Sequence, residues 1–265
     1  TSFDYTLHPQ WNGRLTQMKD SLKRRGPNEQ DTVLYPHSGL AHTRLAIIDL
    51  QKGHQPMCKQ HKESKHNCSI VYNGELYNMT ELRRQLNQYS LVWETDSDTE
   101  VILNGYLACG PAFFRELNGI FAFAIYDSAA DQLLLCRDRL GVKPLFYQQT
   151  AEEFLFGSEQ KALFAGGIRP QLDNDSWNEV LGLGPHTGTR CLCRHERSAA
   201  RSLFDSQRQT NSRYSLLAVG SQTPYRFLPG HCAKGFHSGD RQRGTSDGIR
   251  CANLHIFIRR FGQQF

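Results

Sequence analysis

Two adjacent residues, Asn73 and Gly74, could form a binding site for a negatively charged oxygen. They follow Ser69–Tyr72, an apolar run of strand-forming residues, and Asn-Gly is the strongest short turn signal in a sequence. Asn78, with Glu81 three residues later, predicts the start of a helix. A strand that stops at Asn73 would leave its amide and the Gly74 N–H free for a ligand. The alternative interpretation is an ordinary hairpin turn.

Two charged side chains could hold the two ends of an amino acid. Arg44 lies among strand-forming residues, where its guanidinium could clasp a carboxylate through two hydrogen bonds or could be a surface charge. Ser97 and Glu100 form a capping box that would place Asp98 in the first turn of a helix. Asp98 could then bind an ammonium group, or could simply complement the helix dipole.

The elements that would position these residues are helices followed by short strands. A stripe of Leu15, Met18 and Leu22 predicts a helix that ends before Gly26-Pro27. Antiparallel strands in a meander, preceded by a few helices, indicate an α+β fold. The predicted strands are 32–35, 40–50, 120–127, 132–138, 145–147 and 154–157, and a short helix is expected to end at Phe164.

Composition excludes several classes of protein. No apolar run approaches the roughly 20 residues of a membrane helix, and no signal segment opens the chain. The 8 cysteines have irregular spacing in 265 residues, which favours free thiols in a reducing compartment. We therefore expect a cytoplasmic protein without a membrane partner and without a metal site.

The net charge of +5 hides an asymmetry between the two parts of the chain. Up to Pro185, 18 Lys and Arg face 22 Asp and Glu (18 − 22 = −4), whereas from His186 onward 13 face 4 (13 − 4 = +9). Such a basic tail can bind nucleic acid. It lacks regular aromatic interleaving, however, and Cys191-x-Cys193-x-His195 lacks a second ligand pair for zinc. We expect residues 186–265 to be disordered and without function.

Several motifs, taken together, resemble the glutaminase domain of glutamine-hydrolysing asparagine synthetases. The resemblance runs in order from about Phe3 to Pro185. The motifs are Arg25-Gly26-Pro27, His42-x-Arg44-Leu45-Ala46-Ile47-Ile48-Asp49, Gly53-x-Gln55-Pro56-Met57, Val71–Asn78, Ser97–Leu103, Leu117–Asp127, Arg137–Leu145 and Phe156–Leu163.

The resemblance implies a class II glutamine amidotransferase domain over residues 1–185. Its expected fold is that of an N-terminal-nucleophile hydrolase, a four-layer αββα sandwich with two antiparallel sheets. It implies that Arg44 clamps the glutamine carboxylate, that Asp98 with Glu75 holds the ammonium, and that Asn73 and Gly74 form the oxyanion hole. It also implies that four further residues contact the substrate: Leu45, Ala46, Ile47 and Ile48.

The chain departs from this family pattern at both ends. The family begins with a nucleophilic Cys within a strand, but this chain begins at Thr1 and its first cysteine is Cys58. We expect residues that include the nucleophile to be lost ahead of Thr1, since Thr1 lies several residues too late to replace it. The ATP-binding synthetase domain and its Ser-Gly-Gly-x-Asp-Ser loop are absent after Pro185. A one-base shift near residue 186 would restore a family-like continuation, so we expect a frame error there.

The function that this resemblance implies is glutamine hydrolysis to glutamate and ammonia, which supports ATP-dependent amidation of aspartate. As written, we expect the chain to be inactive. The alternatives are a catalytically dead glutamine-binding or regulatory module and, third, an RNA-binding protein that uses the basic tail. We expect glutamine as the ligand and a possible homodimer. No cofactor is expected in this domain, because ATP and Mg belong to the absent synthetase domain.

Overall fold

The computed structural model describes residues 9–36, 38–45, 53–60, 67–150, 153–170, 196–197, 202–205, 217–218 and 254–260. The α-helices are α1 (Pro9–Leu22), α2 (Met79–Leu86), α3 (Asp98–Cys109) and α4 (Gln160–Ala165). The strands are β1 (Glu29–Tyr35), β2 (Ser38–Arg44), β3 (Met57–Gln60), β4 (Asn67–Leu76), β5 (Gly119–Asp127), β6 (Gln132–Arg137), β7 (Phe146–Gln149), β8 (Glu153–Gly157), β9 (Glu196–Arg197), β10 (Ser202–Asp205), β11 (Leu217–Ala218) and β12 (Leu254–Arg260). Two short 3₁₀ helices are Asn87–Tyr89 and Gly110–Arg115.

The helices begin and end for local reasons that the sequence carries. The stripe of Leu15, Met18 and Leu22 is fully buried on α1, as its spacing predicted. At the start of α3, the Ser97 hydroxyl accepts a hydrogen bond from the Glu100 N–H at 3.3 Å. This cap fixes Asp98 as the first residue of α3 and so directs its side chain toward the neighbouring sheet.

The strands of the described residues form two antiparallel sheets of six strands each. Sheet A has the order β1-β2-β12-β8-β7-β9, and sheet B has the order β11-β10-β6-β5-β4-β3. The pairing of β4 with β5 is the longest in sheet B, from Cys68 opposite Asp127 to Leu76 opposite Gly119. Strand β3 pairs with β4 only from Asn67 to Ile70. From Val71 onward, no strand of the described residues lies beside this edge of β4, and we call this stretch the open edge.

Three hydrophobic clusters define four layers. One cluster lies between helices α2 and α3 and sheet B, and includes Ile70, Tyr72 and Leu103. The second lies between the two sheets and includes Leu40 and Val71. The third lies between sheet A and helices α1 and α4. The expected four-layer αββα sandwich with two antiparallel sheets is therefore confirmed.

The structure corrects the expected turn at Asn73-Gly74. Strand β4 continues through both residues to Leu76, and the chain turns only at Tyr77 and Asn78. The turn signal was overridden by the long ladder with β5, in which Asn73 lies opposite Ala122 and Gly74 opposite Phe121. Glycine is suited to this strand position because a Cβ on Gly74 would lie 2.6 Å from the Phe121 Cβ. The expected strand 40–50 also ends earlier, at Arg44, and residues 46–50 lie outside the described part.

Regular structure occurs in the segment for which we expected disorder. Strands β9 to β12 all lie after residue 185, and β12 takes an internal position in sheet A between β2 and β8. The sequence Leu254 to Ile258 is rich in strand-forming residues, which explains how a mostly polar tail can supply a strand. The division of the chain at residue 185 remains a prediction. Among the described residues, no helix is long and apolar enough to cross a membrane.

Candidate functional site

Arg44 is the last residue of β2 and is almost completely buried. Its side chain lies on the same side of the strand as Leu40, which packs between the sheets. The Arg44 Nη1 atom lies 3.1 Å from the Glu29 Oε2 atom, and His54 contacts the other Glu29 oxygen. A Cβ at Gly53 would come within 2.6 Å of the Arg44 Nη2 atom. Glycine at position 53 therefore leaves the space that the guanidinium occupies.

Asn73 faces the same inter-sheet space as Arg44. Along β4, Ile70, Tyr72 and Leu76 belong to the cluster under the helices, whereas Val71 belongs to the cluster between the sheets. Alternation therefore directs Asn73 toward sheet A. The side-chain oxygen of Asn73 is buried and has no hydrogen-bond partner in the part of the chain that the structure describes. A buried acceptor in this condition is suited to a ligand that donates a hydrogen bond.

The backbone N–H of Gly74 points to the open edge of β4. The N–H groups of Tyr72 and Leu76 both donate to side chains at this edge, the first to Gln55 Oε1 at 2.6 Å and the second to Asp98 Oδ2 at 3.3 Å. In a strand, every second N–H has the same direction, so the Gly74 N–H lies between these two. The Asn73 side chain and the Gly74 N–H therefore lie next to each other on the strand without a turn.

Asp98 is hydrogen-bonded to residues at the same edge of β4. The Tyr72 hydroxyl donates to Asp98 Oδ2 at 2.7 Å, and the Thr99 N–H donates to Asp98 Oδ1 at 2.9 Å. Burial raises the pKa of the Asp98 carboxyl above its ordinary value, although the hydrogen bonds from Tyr72 and Leu76 oppose the increase. A partly buried carboxylate held by donors on two elements can bind a cation directly.

Strands β2 and β4 are connected through His42. This histidine is fully buried in β2, two residues before Arg44, and hydrogen-bonds to the backbone of Tyr72. Burial, followed by the nearby positive charge of Arg44, lowers the pKa of His42 to about 3. The imidazole is therefore neutral at physiological pH, and it joins the strand that carries Arg44 to the strand that carries Asn73.

The remaining predicted site residues have different positions. Leu45 is half-buried directly after Arg44, and Glu75 is exposed near the end of β4. Ala46, Ile47 and Ile48 lie outside the described residues. The structure thus brings Arg44 and Asn73 into one space, with Asp98 at the adjoining edge. The assignment of substrate contacts to these residues stays a prediction.

Neither a metal site nor a reactive thiol emerges elsewhere in the described part. No group of three His, Cys, Asp or Glu side chains there could hold a metal ion. Cys58 is exposed on β3 with its sulfur 3.0 Å from the Ser69 hydroxyl, and partial desolvation raises the pKa of its thiol. The thiol is therefore kept in its protonated, weakly nucleophilic form.

Three neighbours of the site were missed by sequence reasoning. Glu29 contacts Arg44. Gln55 accepts from the Tyr72 N–H at the edge of β4 and donates to Thr99 at the start of α3. The Tyr72 hydroxyl donates to Asp98. Gln55 and Tyr72 lie within the motifs that carry the family resemblance, and this position in the sequence could have indicated that they belong to the site. Their hydrogen bonds join segments that are 17 to 44 residues apart, and periodicity does not report such contacts.

Comparison with known proteins identifies relatives of this chain. Residues 4–214 match the family described as "Glutamine amidotransferase domain". Asparagine synthetase [glutamine-hydrolyzing] 3 of Bacillus subtilis is 42% identical over 172 residues, which are 64% of this chain and 28% of that protein. Asparagine synthetase B [glutamine-hydrolyzing] of Escherichia coli is 39% identical over 153 residues, which are 57% of this chain and 26% of that protein.

The solved structure of glutamine phosphoribosylpyrophosphate amidotransferase from B. subtilis is 20% identical, with a TM-score of 0.46, over 58% of this chain and 41% of that chain. This chain spans about a quarter of the length of the two asparagine synthetases. The resemblance that the motifs predicted is confirmed. The family match also continues past Pro185, to residue 214.

Proposed function

Because this chain belongs to the glutamine amidotransferase domain family, we propose that Arg44, Asn73, Gly74 and Asp98 bind one molecule of glutamine. The similar proteins are named as glutamine-hydrolysing asparagine synthetases. In a polypeptide that also carries the nucleophile, we propose that hydrolysis of the bound glutamine supplies ammonia for the ATP-dependent amidation of aspartate. Arg44 holds the α-carboxylate in this proposal, and Asp98, with Glu75 nearby, holds the α-ammonium. Leu45 and residues 46–48 would line the same site.

The observation that carries the proposal is the position of the Asn73 side chain, which is directed toward sheet A with its oxygen unpaired among the described residues, next to the Gly74 N–H at the edge of β4. In this proposal the Asn73 Nδ2 group and the Gly74 N–H are the two donors, and the Asn73 oxygen accepts from the substrate amide. When a nucleophile attacks the glutamine side-chain amide, negative charge develops on its oxygen. Two fixed donors at this position stabilise that charge, and losing one such donor typically costs about 2.7–4 kcal/mol of barrier stabilisation. A positive side chain on one side and a carboxylate on the other match the two charged groups of a free amino acid.

The hydrolytic step also needs a nucleophile. Among the described residues, Cys58 is exposed on β3, and the pKa of its thiol is raised above the ordinary value, so this thiol is not activated as a nucleophile. We therefore propose that the 265-residue polypeptide binds glutamine without hydrolysing it. In this form it has the properties of a glutamine-binding module, which is the second candidate function.

Isothermal titration calorimetry of the 265-residue polypeptide with glutamine tests the binding half of the proposal. Arg44→Lys should weaken binding at least about tenfold, because an ammonium cannot reproduce the two-pronged grip of a guanidinium. Arg14→Lys is the matched control: Arg14 makes a two-pronged pair with Glu153, at 2.7 and 3.0 Å, on the opposite helical layer. This control should bind glutamine as the unmodified chain does.

An ammonia-release assay on the same proteins tests the hydrolytic half. The printed chain should release no ammonia above background, and a version with Cys-Gly and a short strand ahead of Thr1 should gain activity on the order of 10³-fold or more. Failure of the unmodified chain to bind glutamine would refute the site. Hydrolysis by the printed chain would refute the assignment as a binding module.

A further inference from the structure

A closed ring of hydrogen bonds surrounds the carboxylate of Asp98. The ring consists of Gln55, Tyr72, Asp98 and Thr99, and we call it the Asp98 ring. Gln55 accepts from the Tyr72 N–H at 2.6 Å and donates to the Thr99 hydroxyl at 3.1 Å. The Tyr72 hydroxyl donates to Asp98 at 2.7 Å, and the Thr99 N–H donates to Asp98 at 2.9 Å. Each member is thereby oriented by two others.

The ring joins three separate pieces of the chain. Gln55 comes from the segment before β3, Tyr72 from β4, and Asp98 with Thr99 from the first turn of α3. Gln55, Tyr72 and Thr99 are each at most 3% exposed. Because buried hydrogen-bond networks have few alternative arrangements, the Asp98 carboxylate is held in one orientation before any ligand arrives.

We propose that Tyr72 and Gln55 are positioning residues, which fix Asp98 to receive the α-ammonium group of glutamine. This inference rests on the proposed glutamine site and assigns it two residues that do not touch the substrate. The Tyr72 hydroxyl favours the charged form of a buried carboxylate, because a donor to a carboxylate offsets its lost hydration. Only the charged form attracts an ammonium group strongly.

The same segment also positions the opposite end of the ligand. Gly53 lies two residues before Gln55 and leaves the space for the Arg44 guanidinium, which a Cβ would approach to 2.6 Å. One short stretch of chain therefore sets the position of Arg44 on one side and of Asp98 on the other. This connection gives the site a fixed spacing between a cation and an anion, which selects an α-amino acid rather than a simple carboxylic acid.

A purely structural role for Tyr72 makes a different prediction, and the chain contains a matched control. Tyr106 is also a buried tyrosine of the same cluster, and its hydroxyl donates to Asp127 Oδ2 at 2.9 Å. Asp127 is the last residue of β5, far along the ladder from Gly74. Tyr72→Phe and Tyr106→Phe thus remove the same kind of hydrogen bond, but only the first removes it from Asp98.

The test compares two ligands on the full 265-residue chain by ligand-observed NMR titration. One ligand is glutamine, and the other is 4-carbamoylbutanoate, which lacks the α-ammonium group and retains the carboxylate and the amide. Tyr72→Phe should weaken glutamine binding about tenfold and leave binding of the analogue unchanged, because a hydrogen bond to a charged group is lost only where the ammonium binds. Tyr106→Phe should bind both ligands as the unmodified chain does.

The pH dependence gives a second readout. Loss of the Tyr72 donor raises the pKa of Asp98 further above its ordinary value. As the pH is lowered, Tyr72→Phe should therefore lose glutamine binding at a higher pH than the unmodified chain does. Gln55→Met removes the two hydrogen bonds that Gln55 makes in the Asp98 ring, with the Tyr72 N–H and the Thr99 hydroxyl. This variant should show the same selective loss of glutamine binding. If Tyr72→Phe does not fold, the same two-ligand comparison on Gln55→Met tests the proposal.

The outcomes separate the two levels of the proposal. If the unmodified chain does not bind glutamine, the proposed function fails and this inference fails with it. If the unmodified chain binds glutamine and both ring variants bind it equally well, only the inference is overturned. Equal weakening of glutamine and of the analogue would likewise assign Tyr72 a structural role and overturn the inference.

Discussion

A buried histidine next to Arg44 links the proposed site to the stability of the fold. His42 is only 1% exposed, and burial together with the Arg44 charge lowers its pKa to about 3. In an unfolded chain the histidine pKa is about 6.5. Between these two values the unfolded state binds a proton that the folded state excludes, so acidification favours unfolding.

We therefore expect His42→Gln to reduce the loss of stability between about pH 6.5 and pH 5. The unmodified chain should lose up to about 1.4 kcal/mol more per pH unit than the variant, which corresponds to one proton. Urea unfolding at several pH values measures this difference. Carboxyls with lowered pKa values, such as Glu100 and Glu159, contribute mainly at still lower pH.

The control for this prediction is the range from pH 7.5 to 8.5. Neither state of His42 binds a proton there, so the curves of stability against pH should be parallel for the two proteins. Identical slopes between pH 6.5 and 5 would mean that His42 is protonated in the folded state. The pKa assigned to it would then be wrong.

At the scale of elements, strand β4 determines the position of most site groups. Its open edge presents the Gly74 N–H between two N–H groups that bond to Gln55 and Asp98, and its inner face presents Asn73. This arrangement depends on close pairing with β5. The strand can approach β5 closely because position 74 has no side chain.

Gly74→Ala should therefore destabilise the fold by about 1–3 kcal/mol, the usual cost of forcing an extra methyl group into a packed position. The new Cβ would meet the Ile120 carbonyl and lie 2.6 Å from the Phe121 Cβ. Chemical denaturation measures the change. Gly13→Ala is the matched control, because nothing lies within 4 Å of a Cβ at Gly13 in helix α1.

The control should change stability in the opposite direction, with a gain of up to about 1 kcal/mol, since alanine is the better helix former. A neutral or stabilising Gly74→Ala would show that β4 and β5 are less closely paired at this point. In that case the direction of the Gly74 N–H would also need revision.

Local signals predicted the elements better than they predicted their contacts. The stripe on α1 and the cap at Ser97 were sufficient to place two helices, because both are short-range patterns. The Asn73-Gly74 pair was misinterpreted as a turn, because pairing with β5 involves residues about 50 positions away. The Asp98 ring was not foreseen for the same reason: its bonds depend on tertiary packing.

At the scale of the whole molecule, β12 is the strand that joins two parts of sheet A. It pairs with β2 through Leu254 to Arg259 and with β8 through Ile256 to Arg260. Without it, β1 and β2 would be separated from β8 and β7 in the sheet order. This strand lies beyond the family match, which ends at residue 214, and within the tail that the sequence predicted to be disordered.

Loss of β12 would expose the edges of β2 and β8 in the middle of sheet A. This is costly because β2 is buried along its whole length and its backbone groups need hydrogen-bond partners. We therefore expect Ile258→Pro to destabilise the domain by about 3 kcal/mol or more, since proline in an internal strand removes a ladder hydrogen bond. Hydrogen exchange at the partner residues Gly39 and Leu155 should accelerate in this variant. Ile258→Val, which retains the N–H, is the control and should protect both amides. If Ile258→Pro protects them equally well, sheet A closes without β12, and the basic tail is dispensable to the fold as its composition first suggested.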